Sequence, residues 1–375
     1  MNGNIGLSLY IHVPFCTKKC PYCHFYSIPS AEPLQENFLK ALLTEIDLRK
    51  EAIRKSTLVS IYFGGGTPFL FSPNRVEKVL EALKFPKDIE ITLEANPESV
   101  TEEALKAYAQ FGINRLSFGV QSFNSSELAF LGRRHTPDDV VRAIDSSITA
   151  GISNISIDLM YELPNQTQEA WEYSLDQATS LPITHLSLYN LMIEEPSAFF
   201  RKKEALEKSM PSPEASRKMY ETLLNKTAQH GFLQYEISAF AKKGYASIHN
   251  QGYWLGRPFL GFGPSAFSFY ENTRFSNVSN LTEYCSKLSQ WTLPVDFTDS
   301  LTPKERLREL LAVGLRMNQG VDLPSFQERW GVLDESLLST LSWLKKINLL
   351  TEEEGCLKLT DTGRLLYDQI ASEII

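Results

Sequence analysis

Three cysteines, Cys16, Cys20 and Cys23, fall within eight residues, while Cys285 and Cys356 stand alone. The run HVPFCTKKCPYCHFYS puts three thiolates at C-x3-C-x2-C spacing on one tight loop, just after a strand-like apolar stretch. Three thiolates so placed suit three iron corners of a [4Fe–4S] cubane and leave the fourth iron without a protein ligand. An open coordination position is what a metal needs to engage a substrate. The alternative is structural zinc held by the same cysteines with His24 or His12. His24 adjoins Cys23 directly, which makes a relaxed tetrahedron awkward, and His12 lies back in the strand. The cubane is the better reading. Five cysteines so distributed are not a disulfide framework, and they point to a reducing cytoplasm.

The loop needs a scaffold, and the chain supplies a regular one. Strand-like runs are predicted at 7–13, 58–63, 89–93, 115–120, 154–159 and 185–190, with helices at 36–55, 74–83, 101–111, 137–150 and 168–179. Ser72-Pro73, Ser99 ahead of Thr101, and Thr136-Pro137 read as helix starts, and Gly112 and Gly151 as stops. This alternation predicts parallel βαβ units in an α/β fold. Six units end near residue 195, two short of a closed (β/α)8 barrel, so an incomplete (β/α)6 barrel is expected over 1–200. The unusual residues stand where strands stop: 64–68 after the second, Glu94 after the third, Gln121 after the fourth, Asp158 and Glu162 at the fifth, and Tyr189-Asn190 at the sixth. In parallel α/β folds chemistry gathers at those carboxyl ends.

Beyond residue 200 the pattern changes. An α+β segment over 201–300 holds a helix at 214–230, a strand at 233–240 and the aromatic, glycine-rich run HNQGYWLGRPFLGFGPSAFSF at 249–269. Residues 301–375 predict helices at 303–317, 323–330 and 335–347, an acidic hairpin at 350–360 and a last helix at 364–374. That is a mostly helical, winged-helix-like appendage. Its 9 Lys/Arg against 12 Asp/Glu, within a chain of net charge −8, argue against nucleic acid as a partner. No run of about 18 apolar residues is present to span a bilayer. The opening MNGNIGLSLYIHV lacks the basic segment of a cleaved leader.

The cysteine loop and Gly64-Gly65-Gly66-Thr67-Pro68 together resemble the radical S-adenosylmethionine (SAM) superfamily, whose GGGTP loop follows the second strand. The resemblance implies that the SAM amino and carboxylate groups fill the open iron position. It also implies that an electron from the cluster can split the sulfonium C–S bond, giving a 5′-deoxyadenosyl radical. Nearly the whole chain further resembles the coproporphyrinogen III oxidase-like branch, and within it the haem chaperone family HemW. By order and spacing, Tyr10, Tyr22, Gly65, Gly66, Thr67, Glu94, Gln121, Arg133 and Asp158 match residues that hold SAM there. Plausible chemistry has Asp158 on ribose hydroxyls, Arg133 on the carboxylate, and Glu94 and Gln121 as acceptor and donor.

The run 249–254 resembles the HNxxYW haem-binding segment of HemW, which implies His249 as an axial ligand with Tyr253 and Trp254 packed on a porphyrin. The alternative for His249 is a buried, hydrogen-bonded histidine. Oxygen-independent coproporphyrinogen oxidases carry a further cysteine two positions after the third, where this chain has Phe25, and a longer segment before the first. Two departures from HemW-like sequences stand out: His24 replaces an aspartate, and Phe267 replaces a histidine. The resemblance implies a cytoplasmic haem chaperone using a [4Fe–4S] cluster and SAM, delivering haem to a respiratory protein, with a homodimer and transient membrane association. It also implies a HemN-type C-terminal domain. Oxidative decarboxylation of coproporphyrinogen is the alternative, and a tRNA-modifying role is disfavoured by charge.

Overall fold

The structure, a computed structural model, describes residues 6–375, so the first five residues of the supposed non-leader lie outside the described part. Six strands run parallel and in sequence order: β1 (Leu7–Val13), β2 (Leu58–Gly65), β3 (Glu90–Ala95), β4 (Arg115–Gln121), β5 (Asn154–Tyr161) and β6 (His185–Asn190). β2 to β5 extend one or two residues past their predicted ends, because each ladder continues into the polar residues. His12 pairs with Gly64, and Val13 with Gly65.

The expected barrel is present and remains open. One further parallel strand joins it from far along the chain. The predicted strand at 233–240 is a hairpin of β7 (Leu233–Glu236) and β8 (Ala239–Ala241), which pairs antiparallel with β6. β9 (Phe259–Phe262) then lies parallel to β1 on its other side. β10 (Phe267–Tyr270), β11 (Thr273–Asn277) and β12 (Val295–Ser300) continue antiparallel outward. The whole is one 12-stranded sheet in the order β12-β11-β10-β9-β1-β2-β3-β4-β5-β6-β8-β7.

Along β1 to β6, one residue in two is apolar and faces the helices: Leu9 and Ile11, Ile61 and Phe63, Ile91 and Leu93, Leu116 and Phe118, Ile155 and Ile157, Leu186 and Leu188 are all in the core. Each such side chain contributes about 1.5–3 kcal/mol on burial, so this outer layer carries the stability. The alternate positions read Ser8, Tyr10, His12; Ser60, Tyr62; Glu90, Thr92, Glu94; Arg115, Ser117; Ser156, Asp158; His185, Ser187, Tyr189. Parallel strands covered on both faces normally read as continuous apolar runs. Period-2 polarity on the inner face therefore marks a polar lumen.

The helices follow the predictions with three corrections. The helix expected over 36–55 is Glu32–Leu48 followed by Lys50–Arg54, broken at Arg49. The Arg49 side chain turns inward to buried Glu45 at 3.1 Å and Asn277 at 3.3 Å. Thr101 and Thr136 cap their helices, Thr136 in a reciprocal box with Asp139. Ser72 precedes a helix that starts at Pro73 as expected, but its side chain makes no cap bond: its backbone is left-handed (φ 61°) and its hydroxyl receives Arg75 instead. Ser99 ends a short 3-10 turn and caps nothing.

From residue 301, helices Pro303–Gly314, Leu323–Trp330, Glu335–Lys346 and Tyr367–Ile374 pack with a three-stranded antiparallel sheet made of Val321–Asp322, Cys356–Leu359 and Leu350–Glu353. They share a separate core around Leu311, Leu337, Leu357 and Ile374. The last predicted helix begins as the short Asp361–Leu365 before Tyr367–Ile374. Among the described residues no helix is long and apolar enough to cross a membrane.

Candidate functional site

The cysteine loop is pinned at both ends. Phe15–Cys16 and Ile28–Pro29 form a two-residue parallel ladder, so residues 17–27 arch over the carboxyl end of the barrel. Inside the loop the Cys23 amide donates to the Cys20 carbonyl at 3.1 Å. Thr67 Oγ1 donates to Cys16 Sγ, and Arg133 Nη1 to Cys20 Sγ, each at 3.7 Å. Hydroxyl and guanidinium donors aimed at sulfur favour the thiolate that iron needs. Burial pushes the Cys16 and Cys23 thiols up from their ordinary range, so metal binding must draw their protons off. Among the described residues no three His, Cys, Asp or Glu side chains gather for a single metal ion. His12 is also committed elsewhere, with Nε2 on the Tyr26 carbonyl at 2.9 Å.

Below the loop opens a cavity of about 440 Å3 lined by all three cluster cysteines and by Tyr22, Gly65, Gly66, Thr67, Glu94, Gln121, Arg133 and Asp158. Eight of the residues expected to hold SAM thus meet in one place. Glu94, near the end of β3, accepts from Tyr62 Oη at 2.7 Å and from the Gly65 amide at 3.3 Å. Burial raises its carboxyl to about 7, with Asp158 adding to the rise and Tyr62 opposing it. Asp158 accepts from Ser117 Oγ at 3.2 Å, and burial raises it as well. Gln121 adopts a left-handed backbone (φ 72°) at a register slip, and its side-chain Oε1 accepts from Tyr189 Oη at 2.8 Å.

The glycine loop has its amides already engaged. The Gly65 amide is bonded to Glu94, the Gly66 amide to the Val13 carbonyl at 2.9 Å, and the Thr67 amide to the Phe15 carbonyl at 2.7 Å. None of these three amides is left to approach a ligand. The missing side chains serve packing: a Cβ on Gly65 (φ 110°) would stand 2.7 Å from the His12 ring, and one on Gly66 2.6 Å from the Phe15 carbonyl oxygen. What the loop can offer a ligand is carbonyl oxygen.

Two expected site residues do not line the cavity. Tyr10 lies one ring back, stacked on Tyr62 at 6.1 Å between centroids, and Tyr62 is the lining residue. His249 sits at the opposite, amino-terminal end of the lumen. It is 1% exposed, with Nδ1 on Ser60 Oγ at 3.0 Å and Nε2 on Tyr253 Oη at 2.9 Å. Burial takes its imidazole down to about 3. Neither ring nitrogen is free for iron, so the expected axial ligand is a hydrogen-bonded plug here. The helix Ile248–Trp254 that carries it closes the barrel floor, donating its Ile248 and His249 amides (2.9 Å each) and Ser247 Oγ (3.2 Å) to the Glu90 carboxylate. This is an anion on a helix N-terminus, made of side chain rather than ligand.

Sequence reasoning missed the lining residues Asn96, Arg115, Ser117 and Ser187, and did not place Asn250 of the 249–254 run in this cavity. Asn96 links the two sides, donating to Thr67 Oγ1 at 3.2 Å and accepting from Arg133 Nη2 at 2.8 Å. Arg133 also donates to the Gly119 carbonyl. Arg115, Ser117 and Ser187 were findable from the period-2 polarity of their strands. Asn96 carries no such signal.

The comparisons with known proteins fall on the same elements. The Radical SAM superfamily profile matches residues 10–178, and the HemN C-terminal domain profile matches residues 301–366. The chain is 36% identical over 371 residues to the heme chaperone HemW of Bacillus subtilis, covering 97% of each protein. It is 32% identical to the heme chaperone HemW of Haemophilus influenzae, covering 97% of this chain and 96% of that one. Among solved structures, coproporphyrinogen III oxidase (HemN) from Escherichia coli superposes with a TM-score of 0.86 at 24% identity, over 98% of this chain and 90% of that one. At that identity the likeness is one of fold.

Proposed function

The chain belongs to the haem chaperone HemW family of the radical SAM superfamily, and from that premise we propose that it binds haem and passes it to a respiratory protein. Membership of the superfamily implies a [4Fe–4S] cluster and SAM. The observation that carries the chaperone reading is end-to-end similarity to haem chaperones, through the barrel, the floor plug and the C-terminal domain alike. Cytoplasmic action, a homodimer and transient membrane contact go with the same reading.

The residues fit the cofactors. Cys16, Cys20 and Cys23 would hold three irons, with Thr67 and Arg133 donating to two of the sulfurs. A cluster with SAM on its fourth iron supplies one-electron reduction of a sulfonium C–S bond. The cavity wall suits SAM's groups in turn. Carbonyls of the glycine loop and Glu94 are acceptors for an ammonium, Arg133 is a donor to a carboxylate, and Asp158 is an acceptor for ribose hydroxyls. An ammonium beside Glu94 would pull its raised carboxyl back toward ionisation. Tyr62 on Oε1 and the Gly65 amide on Oε2 hold the Glu94 carboxylate in place, each oxygen keeping a lone pair for a further donor.

The test is anaerobic reconstitution of the full chain, followed by parallel assays of haem binding and transfer and of coproporphyrinogen III turnover with SAM and a reductant. Haem binding and transfer without porphyrinogen product is the expected result. Decarboxylation of coproporphyrinogen by the wild type would overturn the reading in favour of the oxidase. Phe25, standing where that branch has its extra cysteine, argues against this outcome.

A further inference from the structure

We propose that Asn96 is a positioning residue for the cluster: its side-chain amide sets the direction of the hydrogen bonds that reach two of the three cysteine sulfurs, and with them the reduction potential. The assignment rests on Cys16, Cys20 and Cys23 holding a [4Fe–4S] cluster and is independent of the haem chaperone reading.

Asn96 stands just past β3, two residues beyond Glu94, so both side chains turn to the cavity. Its backbone is fixed from the other side. Pro97 holds it extended (φ −98°, ψ 140°), and its carbonyl accepts from the Ser99 amide at 3.0 Å and from Ser99 Oγ at 2.7 Å.

The side chain is the middle of a relay whose polarity follows from chemistry. A guanidinium only donates, so the Asn96 oxygen must face Arg133 Nη2, at 2.8 Å. That turns the Asn96 nitrogen, which also only donates, onto Thr67 Oγ1 at 3.2 Å. The Thr67 hydroxyl takes this bond on a lone pair and keeps its one proton for Cys16 Sγ, 3.7 Å away. At the other end Arg133 Nη1 donates to Cys20 Sγ, also at 3.7 Å. Asn96 and the Gly119 carbonyl both hold Nη2, which leaves the guanidinium one pose. Donors on cluster sulfur offset the negative charge gained on reduction and raise the potential. A side-chain amide is suited to this place because it carries an acceptor and a donor on one planar fork.

The test is an EPR-monitored redox titration of the reconstituted full chain without SAM. Asn96→Ala should keep its iron and sulfide content and shift the one-electron equilibrium roughly tenfold toward the oxidised form, about 59 mV more negative. Thr67→Val should shift it the same way by less. The two changes should not add, because the Thr67 proton is aimed at sulfur only while Asn96 donates to its oxygen. Asn96→Asp, nearly the same size, keeps the contact with Arg133 but draws the Thr67 proton to itself. In that background too, Thr67→Val should add little. Shifts that add in full, or an Asn96→Ala potential equal to that of the wild type, overturn the role of Asn96 and leave the cluster reading standing. A wild type that assembles no cubane overturns both.

Discussion

The barrel has two polar ends, and a histidine stands at each. At the carboxyl end His24 is half exposed on a loop, one nitrogen facing a carboxylate and the other free. At the amino end His249 is sealed in a short helix, both nitrogens spoken for. The difference lies in what closes each end. The floor is shut by the chain itself: Glu90 neutralises the N-terminus of Ile248–Trp254, and Arg257 Nη1 reaches back to the Ile248 carbonyl at 2.8 Å. The mouth lies under residues 17–27, and its donors and acceptors, though bonded to one another, line a cavity rather than a closed contact. The same side-chain types are therefore structural below and available for chemistry above.

The sharpest test of that contrast removes the ligands of the open end. Replacing Cys16, Cys20 or Cys23 by Ala should abolish a cluster of about four iron and four sulfide per chain, measured after anaerobic reconstitution. Cys285→Ala and Cys356→Ala should leave it whole. Retention of the brown chromophore in any of the first three would break the picture of the mouth as a metal site.

Next in size is a break at the floor. Glu90→Ala strands one hydroxyl and two amides of the plug without an acceptor, and each buried loss costs about 1–3 kcal/mol. Urea unfolding of the apo-protein should show a loss of roughly 3 kcal/mol or more. A neutral effect would mean that the plug does not depend on its anion.

At the mouth, a comparable deletion should spare the fold and tax binding. Asp158→Ala should weaken SAM by about 1.5–3 kcal/mol, tenfold or more by calorimetry, with little change in unfolding. Equal affinity in variant and wild type would put the ribose elsewhere.

The smallest effect is one of slope with pH, opposite in sign at the two ends. Burial raises Glu94 to about 7, so the folded protein binds the extra proton between about 4.5 and 7. The wild type should lose stability relative to Glu94→Gln as pH climbs through that window. His249 is lowered to about 3, so the unfolded chain binds the extra proton below about 6.5. The wild type should lose stability relative to His249→Gln as pH falls from there toward 3. Each slope is bounded by about 1.4 kcal/mol per pH unit. Slopes of the same sign, read from unfolding curves of apo-protein, would contradict the assignment of buried acid above and buried base below.

The sequence by itself determined what short-range chemistry can write. Three cysteines on one loop need only their spacing to specify three irons, and β1 to β6 announce themselves by apolar runs. The strand ends named Glu94, Gln121 and Asp158 because a parallel barrel gathers its strand ends by construction. The polar lumen was also written there, as one polar residue in two along each strand. Tertiary structure decided the rest. His249 and His24 each lie beside aromatic residues, and nothing local says which is sealed. That is fixed by β9 pairing with β1, a contact across about 250 residues that docks the plug beneath the barrel. Asn96 meets Arg133, and Glu194 meets His24, only because separate loops converge over the same strands. Periodicity reports which face of an element is buried; which distant element buries it is set by packing, and here that choice made one histidine structural and left the other open.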